Sequence, residues 1–429
     1  MNHNRTTPLE LSKEQFRKIG YELIDRISEF NVSMDDRPVT YGESPAELQK
    51  ILGKGSLPEQ GKDAEALLQQ ATELLFNHSL FNGHPKFLGY ITSSATPIGA
   101  LADLLASSVN PNVGGQILSP VATEIEKQTV QFLAEFIGYN TDCGAILVSG
   151  GNMANFTAFL AARTAKAPKS LKEKGMSGLS KKLLVYCSKT THTWIDKASI
   201  LFGLGSDAVR WIPADEANRM DIVQLEETIK MDLENNCMPI MVIGTAGDVS
   251  TGSVDDLEAI SKVCKTYDLW FHVDGAYGVP AAVVPQYKNL FKGLDQADSI
   301  ALDPHKWLYS PLEAGCTLVK DPQHLLDTYS SNPEYYNLNH YDHEQNYFEF
   351  GLQNSRGFRA LKVWLALKQI GRLGYEKMIN EHIELSKLLF DLVGVPPELE
   401  AISNNLSITV FRYIPEDSSY DQTYLNELN

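Results

Sequence analysis

The N-terminal part of the chain carries apolar residues at intervals of three and four, the pattern of amphipathic helices. In residues 9–30 the apolar positions that recur at this spacing are Phe16, Ile19, Leu23, Ile24 and Ile27. A connection rich in Pro, Gly and Ser follows through residue 58, and a second helical pattern covers residues 64–76. Because an apolar stripe needs a surface to cover, we expect this segment to pack on another subunit or on the main body.

From about residue 97, short apolar runs alternate with helical stretches. Strands are predicted at 145–148, 183–187, 240–244, 270–273, 299–302 and 317–319, with helices between them at 152–163, 191–201, 223–235 and 254–267. This alternation indicates crossover connections and a mostly parallel sheet covered on both faces. Such sheets bind ligands at the carboxyl ends of their strands.

After residue 356, two helical stretches at 358–370 and 375–392 precede a strand-like run at 407–413. The predicted class is therefore α/β, with a mostly parallel central sheet in a large domain. The predicted regions are an N-terminal helical dimerisation segment over 1–96, a large cofactor-binding domain over 97–360 and a small C-terminal α/β domain over 361–429.

Charge and composition narrow the classes of function. The chain has 37 Lys and Arg against 54 Asp and Glu, a net charge of −17, which argues against binding nucleic acid or an anionic membrane. It has no apolar run of the ~18 residues that a membrane-spanning helix needs, and its first residues lack the apolar core of a signal peptide. The five cysteines are scattered and lack CxxC spacing. We therefore expect a cytoplasmic protein with reduced thiols.

Two motifs stand at successive strand ends. Lys306, in DPHKW, follows the strand predicted at 299–302, and Asp274, in HVDGAYG, ends the strand before it. A partly desolvated lysine forms a Schiff base with an aldehyde, and a carboxylate pairs with a cationic ring nitrogen. Taken singly, each is more often an ordinary turn or loop residue. Together they are what a pyridine aldehyde cofactor requires, and the small Ala276 leaves room for its ring.

Two weaker motifs are compatible with the same cofactor. Ser149-Gly-Gly151 lies between a strand and a helix, where exposed backbone N–H groups bind phosphate, although a plain strand–helix turn is equally compatible. His192 follows the strand at 183–187, where an imidazole either stacks on a ring or caps the helix. His340 and His343 lack further ligands nearby in sequence, so no metal is predicted.

The motifs HVDGAYG, DPHKW and SRGFRALKVW, in this order, resemble those of the group II pyridoxal-5′-phosphate-dependent amino-acid decarboxylases. The nearest likeness is to the aromatic-L-amino-acid decarboxylase branch, and the run from His84 to Val130 resembles that family's N-terminal part. The resemblance implies a fold type I enzyme and a homodimer with its site near the subunit interface. It also implies α-decarboxylation of an L-amino acid, expected to be aromatic, to an amine and CO₂.

The resemblance further implies a role for each matched position. Lys306 would bind the cofactor aldehyde, Asp274 would contact the ring nitrogen and His192 would stack on the ring. The remaining cofactor contacts are implied at Ala276 behind the ring and at Gly151, Asn152 and His305 around the phosphate. Tyr90 and Ser93 are implied to line the substrate pocket, and Tyr335 to lie on a closing loop and to protonate the product carbon.

Three features depart from the resemblance. Asp248-Val249 stands where many relatives carry hydroxyls, and Asp303 stands where some have Asn, so neither is assigned a cofactor contact. The chain also ends at DQTYLNELN, earlier than the resemblance implies, so we expect the small domain to lack its last strands.

Three alternatives stay open. The first is another enzyme of this fold: an aminotransferase, a carbon–sulfur lyase or an amine-oxidising aldehyde synthase. Tyr335 argues against the synthase, whose representatives tend to carry Phe there. The second is an acidic-amino-acid decarboxylase, which needs an arginine that the sequence does not identify. The third is a catalytically silent binding protein. The complete set of Lys306, Asp274 and His192 argues against it, and the early end of the sequence argues for it.

Overall fold

The computed structural model describes residues 9–53, 55–331, 344–415 and 421–429. The chain forms two compact units, Met1–Tyr90 and Ile91–Asn429. The helices of the first unit are α1 (Lys13–Val32), α2 (Pro45–Leu52) and α3 (Ala64–His78). The first two begin with capping boxes, in which Ser12 and Ser44 exchange hydrogen bonds with the residue three positions on.

The second unit is built on a seven-stranded sheet. Its strands are β1 (Gly144–Val148), β2 (Leu183–Ser188), β3 (Val209–Ile212), β4 (Met238–Thr245), β5 (Trp270–Asp274), β6 (Ser299–Leu302) and β7 (Gly315–Val319). The order across the sheet is β1-β7-β6-β5-β4-β2-β3. Only β7 is antiparallel to its neighbours. The other six strands are therefore parallel, and their carboxyl ends share one edge.

Helices and a small second sheet complete this unit. The helices are α4 (Pro97–Val109), α5 (Pro120–Phe136), α6 (Gly151–Lys166), α7 (Ser170–Lys174), α8 (Trp194–Leu201), α9 (Ile222–Glu234), α10 (Leu257–Tyr267), α11 (Gln323–Tyr329), α12 (Ala360–Val393) and α13 (Gln422–Leu428). The second sheet pairs β8 (Leu399–Asn405) with β9 (Ile408–Tyr413) in antiparallel fashion. Every residue of β1, β5, β6 and β7 is buried, as expected of a sheet covered on both faces.

The predicted α/β class and mostly parallel sheet are confirmed, and each predicted strand is present. The break predicted between the two C-terminal helical stretches falls at Gly371, where φ is 69° and ψ is 167° inside α12. Two of the helices predicted between the strands begin three residues later than expected: α8 starts at Trp194 and α10 at Leu257. His192 therefore lies in the turn before α8. Within the described part of the chain, every helix is too short or too polar to cross a bilayer.

Candidate active site

Three segments converge at the carboxyl edge of the sheet. After β6, the backbone N–H of Asp303 donates to the carbonyl of Ala276, which follows β5, at 3.1 Å. A Cβ added to Gly151, at the start of α6, would lie 2.7 Å from Asp303 Oδ2 and 3.4 Å from the Cβ of Ala276. The turn after β1 and the ends of β5 and β6 therefore form one site, as the strand-end argument predicts.

The amine of Lys306 pairs with a buried acid. Its Nζ lies 3.1 Å from Asp303 Oδ2, and the side chain is 24% exposed, whereas that of Asp303 is 1% exposed. Burial raises the pKa of Asp303, and the charges of Lys306 and His305 oppose this effect. The imidazole of His305 is fixed by a 2.7 Å hydrogen bond between Nδ1 and the carbonyl of Ala314. Burial also lowers the pKa of His305.

Asp274 ends β5 with a carboxylate that is only 6% exposed. Its Oδ2 accepts a 2.7 Å hydrogen bond from the indole Nε1 of Trp194, and its Oδ1 accepts a 3.3 Å bond from the backbone N–H of Ala276. Two residues earlier on the same face of β5, His272 is fully buried between Ser299 Oγ and Asn155 Oδ1, at 2.8 and 2.7 Å. The edge thus holds a buried, oriented carboxylate.

The start of α6 forms a cradle with two glycines, Gly150 restricted by its backbone conformation and Gly151 by the space around it. Gly150 has φ of 121°, a backbone region that favours glycine, and a Cβ there would lie 3.4 Å from His305 Cε1. At the neighbouring Gly151, a Cβ would collide with the Asp303 carboxylate. The first N–H groups of a helix lack intrahelical partners, so Gly151 and Asn152 present donors suited to an anion.

His192 and the ends of β2 and β4 border the same edge. His192 is exposed, and its Nδ1 accepts a 3.3 Å hydrogen bond from the backbone N–H of Trp194. The hydroxyls of Thr191 and Thr245 are 3.0 Å apart and join the two strand ends. Asp248, one of the departures from the resemblance, organises its own loop: its carboxylate accepts hydrogen bonds from the backbone N–H of Ser250 and the hydroxyl of Ser253.

Of the residues predicted to meet the substrate, Ser93 is the one that the structure places beside the Lys306 turn. Ser93 is half-buried, and its hydroxyl donates to the carbonyl of His305 at 2.9 Å, which ties it to the Lys306 turn. Tyr90 ends the other compact unit, with an exposed side chain and φ of 60°. Tyr335, His340 and His343 lie outside the described residues. Within the described residues, no three His, Cys, Asp or Glu side chains are grouped to hold a metal.

Several structural partners were not anticipated from the sequence. Trp194 and Asn155 contact polar side chains of β5 from two different helices, and no spacing along the chain signals this. Arg356, in the SRGFRALKVW motif, forms a fully buried ion pair with Glu126 and donates to the carbonyls of Val113 and Leu147. That motif therefore anchors the segment before α12 to β1. The sequence offered one signal for this pair: a charged residue lies within an otherwise apolar pattern. A charged residue that is buried needs a partner of opposite charge.

Comparison with known proteins identifies the family. Residues 45–414 match the model of the pyridoxal-dependent decarboxylase conserved domain. The chain belongs to this decarboxylase family. It is 33% identical over 424 residues to an aromatic-L-amino-acid decarboxylase of Bacillus atrophaeus, with 98% of this chain and 86% of the relative covered. It is 29% identical over 437 residues to a phenylacetaldehyde synthase of Petunia hybrida, with 99% and 86% covered.

A solved structure supports the same assignment for this decarboxylase. The crystal structure of Oryza sativa TDC with PLP and tryptamine matches with a TM-score of 0.90 at 25% identity, covering 99% of this chain and 89% of that one. The decarboxylase is a carboxy-lyase that uses pyridoxal 5′-phosphate, as the resemblance implied. The residues at the sheet edge fit this cofactor. They offer a lysine amine, a buried carboxylate and a glycine-lined helix start for the aldehyde, the ring nitrogen and the phosphate.

Proposed function

We propose that this decarboxylase removes the α-carboxylate of an aromatic L-amino acid and releases the amine and CO₂. The observation that carries the proposal is the convergence of Lys306, Asp274 and the Gly151 cradle at one sheet edge. The aromatic substrate class is supported by the relatives, which include the Bacillus atrophaeus aromatic-L-amino-acid decarboxylase and a tyrosine decarboxylase of Petroselinum crispum at 30% identity.

In this proposal, different residues at the carboxyl edge of the sheet bind different parts of the cofactor. Lys306 binds the aldehyde, and the neighbouring Asp303 holds the amine in place beforehand. Asp274 pairs with the ring nitrogen, while Ala276 and His192 border the ring on its two faces. Gly151, Asn152 and His305 surround the phosphate. When bound, the cofactor supplies an electron sink for the bond to the departing carboxylate.

On the substrate side, Ser93 and Tyr90 line the pocket in this proposal, and Tyr335 delivers the proton to Cα. Lys306 then releases the amine product. A phenol can donate a proton and the ring of Phe cannot. An amino acid held correctly in such a pocket reacts far faster than one in solution, by up to ~7–11 kcal/mol of barrier in well-oriented cases.

A second candidate function deserves a direct test because a phenylacetaldehyde synthase is 29% identical over nearly the whole chain. An aldehyde synthase would consume O₂ and water and release aldehyde, CO₂, ammonia and hydrogen peroxide, whereas a decarboxylase releases only an amine and CO₂. The presence of Tyr335 favours the decarboxylase, since it supplies the proton that yields the amine.

The experiment is a product assay in air with each of the twenty amino acids, measuring CO₂, amine, aldehyde and peroxide. We expect amine from aromatic substrates alone. Release of amine only from Asp or Glu would assign an acidic-amino-acid decarboxylase. A purified protein that stays colourless with added cofactor would favour a silent binding protein.

Tyr335→Phe, compared with Tyr336→Phe, tests the proton donor. We expect the amine-to-aldehyde ratio to fall in the Tyr335 variant, because CO₂ loss continues while protonation of Cα is delayed. The Tyr336 variant should keep the wild-type ratio. A changed ratio in the Tyr336 variant alone would identify Tyr336 as the proton donor in place of Tyr335. An unchanged ratio in both variants would show that neither tyrosine is the donor.

We also propose that the enzyme is a homodimer. Seven large apolar side chains between positions 101 and 121 are each at least half exposed on this chain: Leu101, Leu104, Leu105, Val109, Ile117, Leu118 and Val121. We call them the 101–121 patch. In the other unit, α1 buries none of its twenty residues, although Phe16 and Tyr21 are apolar and 61% and 59% exposed. Many exposed large apolar side chains in one stretch of chain are typical of protein–protein contacts, and a second copy of this chain is the proposed partner.

A further inference from the structure

Trp194 connects the first turn of α8 to the acid at the end of β5. The side chain is fully buried, and its indole Nε1 donates to Asp274 Oδ2 at 2.7 Å. An indole N–H can only donate, and a buried one needs an acceptor. Because Asp274 is also buried, the bond is shielded from water and is stronger than its counterpart on the surface.

The surroundings of Trp194 hold the indole in this orientation. Its ring packs edge-on against Phe159 and His272, with centroids 6.5 and 5.9 Å apart. Its backbone N–H donates to His192 Nδ1. His272 is in turn fixed by Asn155 and Ser299. The indole N–H therefore points at Asp274 before any ligand arrives.

We propose that Trp194 is a positioning residue. Its indole N–H holds the Asp274 carboxylate in the orientation, and in the ionised form, that the cofactor ring nitrogen requires. The indole holds Oδ2 with the shorter bond, and Oδ1, which accepts only the 3.3 Å bond from the Ala276 N–H, is the oxygen that would face the ring nitrogen. The inference rests on the proposed function, in which Asp274 pairs with that nitrogen.

The Trp194 hydrogen bond influences where the proton between Asp274 and the cofactor ring nitrogen resides. A hydrogen bond to a carboxylate favours its charged form. With the indole N–H in place, the proton shared between Asp274 and the ring nitrogen stays on the nitrogen. Without it, the carboxylate binds the proton more strongly, and the ring nitrogen carries less positive charge. Trp194 thereby maintains the property of the ring on which carboxylate loss depends.

The test compares two tryptophans that are equally buried. In the holoenzyme, Trp194→Phe removes the donor to Asp274. Trp270→Phe is the matched control: the Trp270 side chain is 2% exposed, and its Nε1 donates at 2.8 Å to Ser299 Oγ, which is bonded to His272 and not to Asp274. The measurements are the visible absorption spectrum of the bound cofactor and its dissociation constant. Asp274→Asn provides the reference for a perturbed ring nitrogen.

We expect Trp194→Phe to shift the spectrum toward that of Asp274→Asn and to weaken cofactor binding about tenfold or more, the effect of losing one hydrogen bond to a charged group. Trp270→Phe should leave the spectrum unchanged and the affinity within about twofold. If Asp274→Asn changes the spectrum but the two tryptophan variants behave alike, the inference is wrong. If Asp274→Asn itself leaves the spectrum unchanged, the proposed role of Asp274 fails instead.

A second variant tests the same hydrogen bond without changing the size of the side chain, in case Trp194→Phe does not fold. β-(3-Benzothienyl)alanine at position 194 keeps the shape of the indole and replaces its N–H by sulfur. The same analogue at position 270 is the control. We expect the spectral shift and weaker binding only at position 194. Wild-type behaviour with the analogue at position 194 would overturn the role of the N–H.

Discussion

His272 shows how burial sets the charge of a single side chain near the site. Both ring nitrogens are hydrogen-bonded, and the side chain is fully buried. Burial lowers the pKa of His272 from 6.5 to about 4. The folded chain therefore keeps the imidazole neutral beside Asp274, so that no second cation competes for that carboxylate at neutral pH.

This histidine predicts a loss of stability toward acid. Its folded pKa lies below its unfolded value, so its contribution is complete above pH 6.5 and is lost as pH falls toward about 4. In that window the unfolded chain binds one more proton, which lowers the free energy of unfolding by about 1.4 kcal/mol per pH unit. We expect the wild-type melting temperature to fall more steeply between about pH 7 and about pH 5 than that of His272→Gln. Parallel pH profiles for the two proteins would contradict the assignment.

Lys306 gives a second test at a single side chain. We expect Lys306→Ala to lose activity on the order of a thousandfold and to lose covalent cofactor attachment, because the reacting amine is gone. The measurement is borohydride reduction followed by peptide mapping. Lys320→Ala is the control: Lys320 follows β7, which runs antiparallel, and so lies at the opposite edge of the sheet. An adduct found on any lysine other than Lys306 would refute the assignment.

The start of α6 should respond to a glycine-to-alanine substitution differently from an ordinary helix. Alanine inside a helix is normally more stable than glycine by roughly 0.5–1 kcal/mol. At Gly151 the added methyl would lie 2.7 Å from Asp303 Oδ2, so the carboxylate or the helix start must move. We therefore expect alanine at position 151 to lower the stability of the folded protein, whereas alanine in place of glycine within a helix usually raises it.

We predict that Gly151→Ala weakens pyridoxal phosphate binding by about tenfold or more, since the displaced Asp303 also disturbs Lys306. Gly20→Ala in α1 is the matched control, because a Cβ at Gly20 meets nothing within 4 Å. That control should bind the cofactor normally and melt slightly higher than wild type. Fluorescence titration and thermal melting measure the two effects, and equal behaviour of both variants would argue against a cradle at Gly151.

Elements with strong local patterns were predictable from the sequence, and those defined by their partners were not. The strands next to the site are short apolar runs, and residues just beyond them carry the motifs, so Asp274 and Lys306 could be placed at one edge. Two strands were missed. β3 is interrupted by the polar Arg210, and β8 is polar along most of its length. The contacts of Trp194 with Asp274 and of Arg356 with Glu126 required the tertiary fold, because their partners are 80 and 230 residues away.

For the molecule as a whole, the 101–121 patch predicts a dimer that charge should disrupt. We expect Leu105→Arg to shift the particle mass toward the monomer, because a desolvated charge would face apolar surface. Leu233→Arg on α9 is the control, since Leu105 and Leu233 are 55% and 46% exposed. Light scattering after gel filtration measures the mass. A monomeric wild type, or equal masses for the two variants, would contradict the proposed dimer surface.

The antiparallel strand β7 has a consequence for how the protein is made. At the edge of the described sheet, β1 is hydrogen-bonded to β7 alone, and Val148 pairs with Gly315, 167 positions later. A ribosome adding about 5–20 residues per second needs roughly 8–30 s to cover that distance. Throughout that interval a strand that is wholly buried in the finished fold has no neighbouring strand in the nascent chain. The same order of synthesis applies to the proposed cofactor site, because Lys306 is made 155 positions after Gly151, so the two sides of that site cannot meet until this later part of the chain exists.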